Sequence, residues 1–157
     1  AENVWRFFDW IQLGDSSSTF TTGVCHRMIL EEWPAIKADI DGRRLSPIGL
    51  VRGRETPLDF AATFRDLSKC HQVLAWGYDV SGTSVTLRIY DPNFLADDRT
   101  IAFDTGDPER ASVTVTGYDG DPFRAFFRES YAYHDPRTPL EYKLAGANVV
   151  SSPGIAR

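Results

Sequence analysis

The chain is poor in the residues that would commit it to several common protein classes. Two cysteines, Cys25 and Cys70, are too few for a disulfide framework. They fit reduced thiols, a single bridge or one reactive cysteine. Three histidines, His26, His71 and His134, give a His-rich metal site little to draw on, and no CxxC, HExxH or EF-hand loop is present. No apolar run approaches the roughly 18 residues that a membrane span needs. The segment Ala1-Glu2-Asn3-Val4-Trp5 has neither a basic nor an apolar signal region, so a secretory signal is expected to be absent or removed. Basic charge is in the minority: the formal net charge is -5, which makes the surface a poor match for a phosphate backbone. The sequence therefore calls for no metal, no cofactor, no nucleic acid and no membrane span, and it specifies neither a compartment nor an oligomeric state.

What is present is enough for one core. Of 157 residues, 42% are hydrophobic and 13% aromatic, which argues against disorder and for a single domain. Val4, Phe7, Phe8 and Ile11 recur at helical spacing, predicting a short helix over 4–13. The run Gly14-Asp15-Ser16-Ser17-Ser18-Thr19 is a loop by composition. Residues 25–41 read as helical, with Gly42 as the stop and Pro34 either starting a new helical segment or kinking this one. Residues 47–52 read as a buried strand, and 57–69 as a loop or a short helix. Further strands are expected over 100–103, 112–118 and 123–127. Helices in the first half and antiparallel strands in the second give an α+β domain. We place it over residues 1–135, with 136–157, rich in Pro, Ser, Gly and Ala, as a tail or extended arm.

The clearest local signal lies over 71–93. His71 to Val80 is an apolar strand, Ser81-Gly82 a turn, and Val85, Leu87 and Ile89 alternate with polar neighbours on the way back. A two-residue turn pairs Val80 with Thr83 and sets His71 opposite Pro92. A three-residue loop sets it opposite Asn93. Either register brings Asp91-Pro92-Asn93 beside the imidazole, with Asp91 and Asn93 on one face. A carboxylate or amide there can fix the His71 tautomer and stabilise an imidazolium, as a general base requires. The plainer alternative is a polar rim histidine next to an Asp-Pro turn.

Cys25 follows Thr21-Thr22-Gly23-Val24 and opens the second predicted helix. A helix N-terminus favours a thiolate, and its free amides can line an oxyanion hole. The alternative is a cysteine that merely packs. Cys70 adjoins His71, but strand neighbours point to opposite faces, so it is expected to face away as a structural thiol and not to bridge to Cys25. The four tryptophans and ten phenylalanines are expected chiefly in the core rather than on a binding platform. The scattered aspartates match no calcium loop, and Glu31-Glu32 do not face each other on a helix. His134-Asp135 reads as a surface loop pair.

A chain order of Cys, then His at a strand start, then Asp or Asn after the next strand resembles that of papain-like cysteine peptidases. The stretch HQVLAWGYDVSGTSVTLRIYDPN is similar to the His-containing hairpin of the bacterial members, including the leader-peptide-processing branch. It is similar too to a group of bacterial proteins in which a segment like EEWPAIKADIDGRRLSPIGLVR precedes the hairpin and one like PFRAFFRESY follows. The resemblance spans most of residues 20–133 and is specific in the hairpin. It implies a papain-like fold with N-terminal helices packed on an antiparallel sheet. It also implies a Cys25–His71–Asp91 triad acting on an amide or peptide bond as hydrolase or acyltransferase, on a peptide or protein substrate. Asn93 is the alternative partner of His71. Gln12 is a weak substitute for the oxyanion glutamine, since Thr19 stands nearer its usual place. The chain departs from the family at Gly23-Val24-Cys25-His26-Arg27-Met28, where relatives carry two glycines after the cysteine. That departure keeps open a catalytically inactive module that binds a peptide or protein, and a third reading is a toxin or effector domain that uses the same triad.

Overall fold

The computed structural model describes residues 2–52, 60–94 and 98–131. The predicted tail over 136–157, the boundary at 135 and the His134-Asp135 pair lie outside the described residues. Helix α1 spans Glu2–Gln12. A second helical run begins with α2, Val24–Arg27, passes through a π segment, Met28–Glu32, and ends as α3, Trp33–Asp41. The π segment has a local cause. Pro34 has no N–H to give and its ring crowds the preceding turn. The register widens just ahead of it, so that the Trp33 amide donates to the Met28 carbonyl five residues back. Pro34 thus starts a new segment within one continuous run, and Gly42 caps the end.

Strand β1, Ser46–Val51, precedes α4, Phe60–Leu67. Strands β2, His71–Ser81, and β3, Ser84–Tyr90, form the hairpin. Then come β4, Arg99–Asp104, β5, Val113–Val115, and β6, Ala125–Arg128. All pairings are antiparallel, in the order β5-β4-β3-β2-β1-β6. The α+β class is therefore as the sequence implied. Among the described residues no helix is long and apolar enough to cross a membrane.

Both faces of the sheet are covered in part, and β6 shows how. Neighbours on a strand point to opposite sides. Phe126 meets Phe103, which in turn meets Trp33 of α3. Phe127 meets Phe7 and Trp10 of α1. Gly49 of β1 makes the second packing possible, because a Cβ there would lie 2.6 Å from Phe127 Cζ and 2.7 Å from Phe7 Cζ. The outer edge of β6 is occupied at Arg128, whose amide donates to Glu32 and whose carbonyl accepts from Arg6. An edge whose backbone groups are occupied by side chains offers little to a foreign strand. Trp10 and Trp33 are core, as expected, whereas Trp5 and Trp76 are exposed.

Candidate functional site

The hairpin turn lies one residue later than the sequence suggested. Ser81 pairs with Ser84, leaving Gly82-Thr83 as the loop, and Gly82 takes a φ of +61°, which glycine adopts at no steric cost. That shift alone would carry His71 past Asn93. A bulge corrects it: Ala75 pairs with Ile89 but Gly77 with Arg88, so Trp76 is left out of the ladder. The ladder ends at Leu74 opposite Tyr90, and the chain turns over 91–94, where the Phe94 amide donates to the Asp91 carbonyl, so Asp91 follows directly on the last paired residue.

His71 Nε2 lies 2.8 Å from Asp91 Oδ2. The Asp91 side chain has no exposure, whereas that of His71 keeps 22%. Asp91 Oδ2 also accepts from the Tyr118 hydroxyl, and Oδ1 accepts from the Asn93 amide at 2.8 Å. Burial by itself pushes the Asp91 carboxyl up. The hydrogen bonds from Tyr118, Asn93 and His71 outweigh it, and the group is held below the ordinary carboxylate range. The same contact and its own burial push the Tyr118 hydroxyl up. The site is thus an ionised, buried carboxylate gripping a half-exposed imidazole by one nitrogen. Nδ1 makes no hydrogen bond among the described residues. A cleft of about 380 Å³ opens beside the ring, lined by Val4, Phe7, Leu67, Cys70, His71, Gln72, Pro92 and Asn93.

Cys25 is elsewhere. It is 5% exposed and lines a separate cleft of about 360 Å³, together with Asp15, Ser16, Glu109, Ala111 and Arg124 among others. Its thiol donates to the Ala111 carbonyl at 3.1 Å. Among the described residues it makes no hydrogen bond to His71. The link between the two clefts is a run of ring contacts from His71 to Tyr118 to Phe123, and Phe123 lines the Cys25 cleft.

Two features of its surroundings run against the expectations for Cys25. Burial, with Asp15 and Glu109 nearby, pushes the thiol up rather than down, and Arg124 only partly offsets this. The amides that open the helix are already engaged: Val24 N donates to the Gly14 carbonyl and Cys25 N to the Asp15 carbonyl. Gly23 permits that close approach, since a Cβ there would run into the backbone of Ser16 and Asp15. An oxyanion hole at this helix end would need those donors back.

Cys70 also departs from expectation. It precedes β2 rather than belonging to it, so strand alternation does not apply, and it lines the same cleft as His71. Its sulfur lies 3.6 Å from the carbonyl oxygens of both Arg52 and Asp66, either of which can accept its one hydrogen, and burial raises the thiol to about 11. Both thiols are free. Asn93 belongs to the His71 site through its amide and by lining the cleft. Gln12 ends α1 and lines neither of these clefts.

Sequence reasoning missed Tyr118, Arg99 and Glu129. Tyr118 lies on a loop after β5. Arg99 holds that loop by donating to the carbonyls of Thr116 and Gly117, and its guanidinium stacks on Tyr118 and Phe94. Nothing in the local pattern of Gly117-Tyr118-Asp119 points to a carboxylate on another strand. No protein-family model, curated protein or solved structure matches this chain.

Proposed function

We propose that the protein is a hydrolase or acyltransferase of the papain-like kind, with His71 as general base and acid and Asp91 as the group that holds it. One observation carries the reading: the 2.8 Å hydrogen bond from His71 Nε2 to a fully buried Asp91 carboxylate, at the edge of an open cleft. A buried carboxylate fixes the tautomer and stabilises the imidazolium that forms in the transition state. In this reading a thiolate sulfur attacks an amide carbonyl carbon. The C–N bond breaks, the proton first taken by His71 goes to the leaving amine, and the resulting thioester is cleaved by water or by an acceptor amine. Cys25 is the candidate thiol. To act, its sulfur must give up Ala111 and come within hydrogen-bond reach of His71 Nδ1.

The burial of Cys25 favours a second reading, in which the same fold binds a peptide or protein without thiol chemistry. The two separate on the pH dependence of Cys25 alkylation by iodoacetamide, in a Cys70→Ser background with and without His71→Ala. Fast labelling well below pH 8 that disappears in His71→Ala is the expected result for a thiol–imidazole pair. Slow labelling with an ordinary thiol profile, unchanged by His71→Ala, overturns the thiol mechanism and leaves the binding module.

A further inference from the structure

The largest of the clefts described here is neither of the two above. A groove of about 770 Å³ runs over β1 and β2, and it shares Gln72 and Pro92 with the His71 cleft. Its walls are apolar at Leu45, Leu74, Tyr90 and Tyr131, and Leu45, Tyr90 and Tyr131 are exposed. Its charged groups are Asp39, Arg44, Arg128 and Glu129. Asp39 holds both guanidiniums, Arg44 at 3.0 Å and Arg128 through both carboxylate oxygens, so the three keep one net positive charge and neither arginine is bonded to Glu129.

Glu129 is the acid of the groove that has no bonded cation among the described residues. It is 5% exposed, and among the described residues its side chain is bonded to a neutral group, Gln72 Nε2, at 2.7 Å. Arg6 acts on it through space, but that guanidinium is committed to Glu32 and to the Arg128 carbonyl. Burial accordingly pushes the Glu129 carboxyl up. A carboxylate taken from water with no bonded cation is costly, and a cation brought to it recovers much of that cost.

We propose that this groove is the subsite that takes a lysine or arginine side chain of an extended peptide, with Glu129 as its counter-charge. The apolar walls fit the methylene stem of such a side chain, while the charged end meets the carboxylate. The peptide passes from the groove to the His71 cleft by way of Gln72 and Pro92. The inference rests on the reading of the His71 cleft as the reaction site only for that last step. The charge pairing stands without it.

The test is equilibrium binding of fluorescein-labelled hexapeptides that differ at one position: lysine, arginine, norleucine or glutamate among alanine and leucine. Binding is read by fluorescence anisotropy on the full chain carrying His71→Ala, so that turnover plays no part. Thermal melts serve as the folding control. The expected result is binding of the lysine and arginine peptides at least about tenfold tighter than the norleucine peptide, as a desolvated charge pair provides. Glu129→Gln keeps a partner for Gln72 and should abolish that preference. Equal binding of lysine and norleucine peptides, no binding of either, or a preference unchanged in Glu129→Gln overturns the subsite. Because no thiol or acid–base step is involved, failure here is distinct from failure of the alkylation test.

Discussion

Replacing Asp91 by Asn is the perturbation that probes the centre of the site. The side chain is fully buried and receives three donors: the imidazole, the Tyr118 hydroxyl and the Asn93 amide. Hydrogen bonds to a charged acceptor contribute about 1.5–3 kcal/mol each. The Asn side chain keeps one oxygen, so part of the set survives, but its NH2 now faces donors and the charge is gone. A loss of about 3 kcal/mol at pH 7 follows, at the low end for removal of one partner from a buried ionic cluster. For a chain of this size that is a fall in Tm of roughly 6–12 °C. The pH dependence has a definite sign. A carboxyl held below its unfolded value stabilises the fold fully above that unfolded value, near about pH 3.9. It loses that contribution as pH falls through the folded value. The gap between wild type and Asp91→Asn should therefore persist from neutrality down to about pH 4 and close below it. Circular-dichroism melts across that range measure it directly. A Tm within about 2 °C of wild type at pH 7, or a gap that persists unchanged to about pH 2, would refute the claim that an ionised Asp91 holds this cluster.

Two further perturbations test the surroundings of the site. Tyr118→Phe keeps the ring contacts with His71 and Phe123 but removes one donor from Asp91. It should cost about 1–2 kcal/mol and move the acid unfolding midpoint upward, because the carboxylate loses a group that lowers it; a midpoint that does not move would mean that the hydroxyl contributes nothing. Gly49→Ala places a methyl within 2.7 Å of both Phe7 and Phe127. Urea denaturation should show a loss of about 1–3 kcal/mol from overpacking, and an unchanged midpoint would mean that α1 is free to shift away from the sheet.

Much of the fold follows from local signals. The spacing of Phe7, Phe8 and Ile11 and the run from Cys25 to Asp41 gave helices close to those observed. The alternation of Val85, Leu87 and Ile89 gave the return strand. The meeting of His71 and Asp91 was legible for the same reason. Two residues 20 apart on one hairpin are brought together by a turn and by strand pairing, both of which the intervening sequence encodes. The route was different in detail, since a later turn and a bulge at Trp76 cancel in the register. An extra residue in one strand depends on how that strand packs on both faces, so the alternation pattern does not reveal it.

What the sequence by itself determined, then, is the α+β class, the hairpin and the imidazole–carboxylate pair that the hairpin carries. Tertiary structure alone decided the rest. Cys25 is turned toward Ala111, and its helix-opening amides are taken by Gly14 and Asp15, because the loop before α2 folds back on the helix start. Tyr118 reaches Asp91 through a loop pinned by Arg99. Glu129 is buried without a bonded cation because Arg6, Arg44 and Arg128 are held by Glu32 and Asp39. Each of these outcomes is a choice among partners far apart in the chain. That choice is set by which surfaces the helices cover on the sheet, and no spacing or composition within a single segment contains it.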